Sequence, residues 1–191
     1  MIDLRPNQNQ IPEKGCILLS EPFLNDPFFK RTVVVLCEHN EEGAFGFILN
    51  NYIDVSLEEV IEDFPDWQNV ISIGGPVKNG NLFYLHTLGD LIPNSAKVMD
   101  GLYFGGDFDV VKDKMSSGSI QPQHIRFFIG YSGWTAHQLE DEVKEQSWYI
   151  THVTPKVIMD TEEKDLWKSI MKKFGPKGKM IANLPEDPEL N

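Results

Sequence analysis

Across residues 26–50 the chain reads DPFFKRTVVVLCEHNEEGAFGFILN, two apolar runs of strand length joined by an acidic turn that contains glycine. Residues 32–38 and 44–50 are rich in Val, Ile, Leu and Phe, the types that suit a pleated, buried surface, and HNEEG supplies the connection. The segment predicts a buried antiparallel strand pair. At 191 residues, with 41% hydrophobic and 24% charged, the chain is long enough for one well-buried core around that pair and short for two.

Elsewhere the punctuation places further elements. Residues 1–14 are polar and broken by proline, which suits a loose arm, and 15–20 (GCILLS) is the first expected strand. Asn25-Asp26-Pro27 joins a helix-cap residue to proline and suits a single helical turn. Ser56 and Glu59 form a capping box, and Leu57, Val60, Ile61 and Phe64 recur at helical spacing until Pro65. Strands are expected at 70–73, 82–86 and 98–104, the first and last running into Gly74-Gly75-Pro76 and Gly105-Gly106-Asp107. Asp107 can cap a helix that buries Phe108, Val111 and Met115.

A strand at 125–129 precedes Gly130-Tyr131-Ser132-Gly133. Thr135 and Gln138 form a second capping box for a helix over 136–145, with Trp134 and Leu139 placed as a hydrophobic staple. A strand at 148–153 and a helix from Asp160 or Thr161 follow. Leu166, Trp167, Ile170, Met171 and Phe174 form the apolar stripe of that helix, Gly175-Pro176 should stop it, and 175–191 reads as an extended tail. Strands and helices neither alternate strictly nor separate into blocks. A doubly wound parallel sheet is therefore disfavoured, and a bent mixed sheet flanked by helices fits better, in one α+β domain over 15–174.

Charge narrows the partners. The formal net charge is −12; no Lys or Arg occurs from Thr32 through Val77, and nine acids fall within 38–66. Phosphate backbones would be repelled there. Six of the 17 basic residues, Lys164, Lys168, Lys172, Lys173, Lys177 and Lys179, gather near the far end, where they read as a solvated helix face in preference to a docking site. No run approaches the roughly 18 apolar residues of a membrane span, and MIDLRPNQNQ lacks a secretory pattern. A cytoplasmic protein without membrane contact is expected. Cys16 and Cys37 lie inside apolar runs, as buried free thiols would.

Chemistry-bearing motifs are sparse. Gly130-Tyr131-Ser132-Gly133, placed between a strand and a helix, is the nearest thing to a nucleophile motif, but its second glycine follows the serine directly, unlike a nucleophile elbow. His39, His86, His124, His137 and His152 never fall four apart, and neither Cys has a metal-ligand neighbour, so neither metal nor cofactor is expected. Glu38-His39 beside Glu41 and Glu42 could shuttle protons or could be a solvated turn. The turns Gly74-Gly75 and Gly105-Gly106 could form anion nests or allow close backbone packing; neither has a Walker or dinucleotide pattern.

The residues GCILLSEPFLNDPFFKRTVVVLCEHNEEGAFGFILN, then GGPV, YFGGD and RFFIGYSGWTAHQLEDEV with Trp148 beyond, resemble the bacterial AlgH/YqgE family, also called UPF0301, from about residue 15 to 174. The resemblance implies a single α+β domain whose bent, mixed and largely antiparallel sheet forms a pseudo-barrel with flanking helices. The family pattern maps onto Asp26, Pro27, Phe29, Glu38, His39, Gly43, Gly46 and Asn50, then Gly74 to Val77, Gly105, Gly106, Gly130, Tyr131, Gly133, Trp134, Gln138, Leu139 and Trp148. Relatives commonly have alanine where this chain has Ser132, which weakens the nucleophile reading further. The family carries the label of transcriptional regulator and implies no catalytic mechanism.

Two functions lead, ahead of a third, direct DNA regulation through the lysine face of Lys164, Lys168 and Lys172. The first is a non-enzymatic regulatory protein acting through a protein partner and not by reading DNA, because no basic groove-reading helix is evident. The second is a small-ligand or enzyme site near Glu38, His39 and Asn50, joined by Tyr131 and Trp134, whose polar tips sit on apolar bodies.

Overall fold

The computed structural model describes residues 10–61, 64 and 70–185. Most of the arm expected over 1–14, part of the segment before Pro65 and the end of the chain lie outside the described residues. In chain order the elements are β1 (Ile17–Ser20), β2 (Val33–Asn40), β3 (Gly43–Ile48), β4 (Tyr52–Ile53), α1 (Leu57–Val60), β5 (Ile71–Ile73), β6 (Val77–His86), β7 (Ala96–Met99) and β8 (Leu102–Phe104). There follow α2 (Phe108–Ser116), β9 (Ile125–Thr135), α3 (Gln138–Lys144), β10 (Trp148–Thr151), α4 (Pro155–Met159), α5 (Leu166–Met171) and α6 (Gly175–Ala182).

The fold is a single α+β domain built on one largely antiparallel sheet of order β10-β1-β2-β3-β9-β6-β8-β7, with β5 added beside β9 and β4 beside β5. Among the described residues only the β5–β9 pair is parallel. The sheet curls until β7 returns toward the start of β1, where a Cβ added to Gly15 would lie 3.1 Å from the Val98 carbonyl oxygen. It remains unclosed, because β7 and β10 end the hydrogen-bonded path without pairing.

The opening strand pair forms as its composition demands. Val33, Val35 and Cys37 face a cluster with Ile17, Leu19, Phe47 and the carboxyl-terminal helices, while Val34 and Leu36 face a second cluster with Leu18, Ile48, Trp148 and α3. Both faces are covered, which is why the run is continuous and not alternating. A third cluster packs α2 through Val111 and Met115 against Ile71, Ile125 and Phe127.

β9 is the spine. Its first half lies between β6 and β5, and its second half, from Ser132 to Thr135, pairs with β3. The exchange of neighbours occurs where Gly74-Gly75 crosses the bend at Gly130, whose φ is +70°. A Cβ on Gly74 would overlap the Gly130 carbonyl oxygen, and one on Gly130 would come within 2.8 Å of that of Val77. Side chains are sterically excluded from both strands at this point.

Several local expectations change. The stretch 98–104 is a hairpin of β7 and β8 turning at Asp100-Gly101, with Gly101 at φ +78°. Residues Gly130 to Gly133 lie within β9, so Ser132 sits on no strand-to-helix turn. α1 has its capping box, with the Ser56 N–H donating to Glu59 at 2.9 Å, but Ile61 is already extended and ends it. α3 starts at Gln138, two residues late, because His137 takes a left-handed conformation; Gln138 still accepts from the Thr135 N–H.

The carboxyl-terminal region departs most. α4 is unforeseen, α5 starts at the Asp165 cap instead of Asp160 or Thr161, and Gly175-Pro176 opens α6 where an extended tail was expected. Proline in a first turn lacks only an N–H that would have no helical partner. α6 is held by burial of Ile181 and Ala182, and by Arg31, which donates to the Leu184 and Pro185 carbonyls at 2.6 and 2.8 Å and lies over the Trp167 ring. No helix among the described residues is long and apolar enough to cross a membrane.

Arg126 joins three parts of this frame. It is fully buried on β9, donates to the Ile158 carbonyl at 2.6 Å, the Ser72 hydroxyl at 3.1 Å and the Leu49 carbonyl, and lies between the Tyr52 and Phe128 rings. Burial lowers its pKa, with Tyr52 and Asp160 acting in the opposite direction, yet an arginine remains charged. Replacing Arg126 by Met should cost about 2–4 kcal/mol, since two buried carbonyls lose their donor while the desolvation of the cation is relieved. The measurement is the urea midpoint at constant slope; an unchanged midpoint would show that the guanidinium contributes nothing net.

Candidate functional site

The turn between β2 and β3 is built by its own polar side chains. The Asn40 side-chain oxygen accepts from the Glu42 N–H at 2.8 Å, and the register slips between Leu36 and Glu38, where the strand passes from full burial to partial exposure. Glu38 accepts from Lys14 at 3.1 Å and from the His39 N–H at 3.1 Å. The His39 ring turns to α3, its Nε2 lying 2.9 Å from Glu140 Oε1.

Beside this turn lies a cleft of about 660 Å³. Its rim includes Glu38, Asn40 and Glu42, and its apolar walls include Phe45 of β3, Phe83 of β6, Phe104 of β8 and Tyr131 of β9. The four rings form a closed circuit of contacts. Centroids are 5.3 Å apart for Phe45 and Phe104, 6.4 Å for Phe104 and Phe83, 5.7 Å for Phe83 and Tyr131, and 6.3 Å for Tyr131 and Phe45. Phe47, fully buried, touches Phe45, Phe83 and Phe104 from the core side.

Of the five polar positions singled out from sequence, Glu38, Tyr131 and Trp134 line this cleft, and His39 and Asn50 do not. Asn50 is a clamp: its side chain accepts from the Val33 N–H at 2.8 Å and donates to the Arg31 carbonyl at 2.9 Å. The Trp134 indole donates to Glu142 at 2.9 Å, Trp148 donates to the same oxygen at 2.8 Å, and Gln138 holds the other oxygen. Phe29 packs edge-on against Trp148 and tilted against Trp134. Sequence reasoning missed Phe45, Phe83 and Phe104. The two-residue spacing of Phe45 and Phe47 was the available signal, since it places both rings on one face.

Gly105 and Gly106 line a neighbouring cavity of about 480 Å³ that shares Phe83 and Phe104 with the cleft, whereas Gly74 and Gly75 line neither. The N–H groups of Gly74, Gly105 and Asp107 are bonded to the carbonyls of Ile129, Tyr84 and Pro93, which leaves them unable to cradle an anion. Behind Gly105 is the fully buried His86. Its Nδ1 accepts from the Leu88 N–H at 3.3 Å, so Nε2 carries the proton and donates toward Ser95 Oγ at 2.9 Å and the Gly105 carbonyl at 3.0 Å. Ser95 in turn donates to the Ile92 carbonyl at 2.7 Å. This histidine is a donor and cannot deprotonate Ser95 in that arrangement.

Other chemistry is committed to structure. Ser132 is fully buried and donates to the Gly74 carbonyl at 3.0 Å. Cys16 and Cys37 face different core clusters; burial pushes the Cys16 thiol up to about 11 and raises that of Cys37 as well, keeping both protonated and unreactive. Among the described residues no group of three or more His, Cys, Asp or Glu could hold a metal ion.

Comparison with known proteins agrees with this architecture. A family model described as AlgH-like matches residues 17–179. A UPF0301 protein of Bacteroides thetaiotaomicron is 40% identical over 186 residues, covering 97% of this chain and 94% of that protein. One of Chlorobium chlorochromatii is 41% identical over 177 residues, covering 93% and 94%. The solution structure of AlgH from Pseudomonas aeruginosa superposes with a TM-score of 0.70 at 27% identity, covering 90% of this chain and 94% of that one. A crystal structure of a Corynebacterium diphtheriae protein gives a TM-score of 0.75 at 20% identity over 92% and 94%, a likeness of fold.

Burial pushes the His86 pKa below its ordinary value, against a smaller opposing pull from its bond to Gly105. The folded state therefore binds fewer protons than the unfolded chain, and the stabilisation it retains above about pH 6.5 should be lost as pH falls below that value. His86→Gln should flatten this dependence. Urea midpoints at pH 7 and pH 5 for both proteins test it; equal differences would show that the imidazole is not held neutral.

Proposed function

Because this chain belongs to the AlgH-like family of UPF0301 proteins, we propose that it is a non-enzymatic regulatory protein of the bacterial cytoplasm whose cleft beside Glu38 binds a small ligand. Its output passes to a protein partner and not to DNA. The observation that carries this is the cleft itself, about 660 Å³ with an aromatic lining and a few polar groups at one side. That size and composition are those of a small-molecule site.

The rest of the molecule supports a binding role over a catalytic one. His39 and His86 are turned to Glu140 and to Ser95 with Gly105, and Ser132 is spent on a backbone carbonyl. A site for acid–base work needs such groups within hydrogen-bond reach of a bound reactant. Direct reading of DNA is disfavoured by a net charge of −12 and by the form of the lysine-rich region. That region is broken into α5 and α6, six and eight residues long, whose inner sides bury Trp167, Ile170, Met171 and Ile181.

The test is an amide NMR spectrum of labelled protein screened against small organic fragments. Shifts should concentrate at 43–45 and 131–135, and Gly133→Leu, which places a side chain at the cleft wall, should abolish them while the spectrum stays dispersed. Hits confined to other surfaces, or unaffected by Gly133→Leu, would overturn the ligand reading. Duplex DNA at physiological salt should leave the spectrum unchanged; micromolar binding that weakens steeply with salt would overturn the rest.

A further inference from the structure

The geometry points to an organic cation, a quaternary or protonated amine on a short apolar body, as the ligand of the cleft. The inference rests on the cleft being a binding site and adds the charge of what it binds. Two independent features converge. The first is the circuit of Phe45, Phe104, Phe83 and Tyr131, all partly exposed, over the buried Phe47. Three of its four contacts are steep, at 63°, 76° and 84°, so the rings stand as walls at angles to one another instead of lying in one flat stack. Ring faces carry negative charge density, and a cation within about 6 Å of several centroids is attracted to all of them at once.

The second feature is the sign of the rim. Glu38 and Glu42 are the charged groups lining the cleft, with the Asn40 amide between them, and no Lys or Arg is among its lining residues. An anionic ligand would meet two carboxylates, and a neutral one would gain nothing from their charge. A weakly hydrated ammonium satisfies both the rings and the carboxylates. Lys14 is the internal competitor: its ammonium lies 3.1 Å from Glu38 Oε2, on a side chain 35% exposed, and can move aside when another cation takes its place.

The competitor separates this reading from simple apolar filling. Choline should bind about tenfold more tightly than its neutral isostere, in which carbon replaces the quaternary nitrogen. The double change Glu38→Gln, at a partly exposed position, with Glu42→Gln, at an exposed one, should weaken choline severalfold and leave the isostere unchanged, and so should added salt. Lys14→Gln should tighten choline two- to threefold and not the isostere.

Amide NMR titrations, read at 43–45 and 131–135, measure all of these. Equal affinity for choline and isostere at those residues would sink the cation inference and leave the cleft as a binding site. Failure of both to shift those residues, while fragments of other chemistry do, would also sink it. If nothing shifts them, the binding reading fails as well.

Discussion

The passage of Gly74-Gly75 across the bend of β9 at Gly130 is the contact on which the rest of the molecule depends. Backbone meets backbone there with no room for a Cβ on Gly74. Because the two segments can approach so closely, β9 can leave β5 and take up β3 in the space of two or three residues. One strand thereby belongs to two parts of a curled sheet. Phe45 on β3, Phe83 on β6 and Tyr131 beside the bend line the cleft. A larger residue at the crossing would not merely strain a turn; it would push apart the strands that hold the aromatic circuit.

Arg126 secures the other side of the same strand. A buried cation with no carboxylate bonded to it among the described residues is an expensive choice, and its attraction lies in geometry: one planar fork reaches Leu49 just after β3, Ser72 of β5 and the end of α4 together. Carbonyls at the carboxyl end of a helix carry partial negative charge, so Ile158 is a favourable partner for a cation. Lysine would place its three donors on one nitrogen, whereas the guanidinium divides these bonds between Nη1 and Nη2. The rings of Tyr52 and Phe128 complete the enclosure and offset part of the lost hydration.

What could be read from the residues divides along physical lines. The strand pair of β2 and β3 and the cap at Asp107 were legible because each rests on local composition; Asp107 accepts from the N–H groups of Asp109 and Val110 as its position implies. The hairpin at Asp100-Gly101 is not legible because the dipeptide turn signal sits inside an apolar stretch, 98–104, that by composition suits one continuous strand. α6 was lost because Gly-Pro stops one helix and can start the next, and only the packing of Ile181 and Ala182 decides which. The polar candidates show the same limit. Asn50, a candidate for the ligand site by its position in the sequence, has an amide that completes the backbone bonding of Val33 and Arg31, which no sequence pattern displays. Trp134, Gln138 and Trp148, prominent in the family pattern, converge on Glu142 and so serve packing first.

That redistribution leaves Phe45, Phe83, Phe104 and Tyr131, packed on one side against the main core and partly exposed on the other, as the basis of the proposed binding role. Burial of apolar surface contributes roughly 25 cal/mol per Å², so rings left open to water forgo stability that a closed core would have gained. Phe47 and Phe128, one layer beneath, are fully buried and stacked with centroids 4.7 Å apart, which shows how completely this chain packs phenylalanine where packing is the aim. Phe45, Phe83 and Phe104 are supplied by three different strands and line the cleft together with Tyr131, next to the bend at Gly130. Their arrangement is fixed by the crossing at Gly130 behind them and leaves the acidic turn of β2 and β3 free to set the sign of the opening. On the binding role proposed above, a ligand would cover the surface that the scaffold leaves partly open.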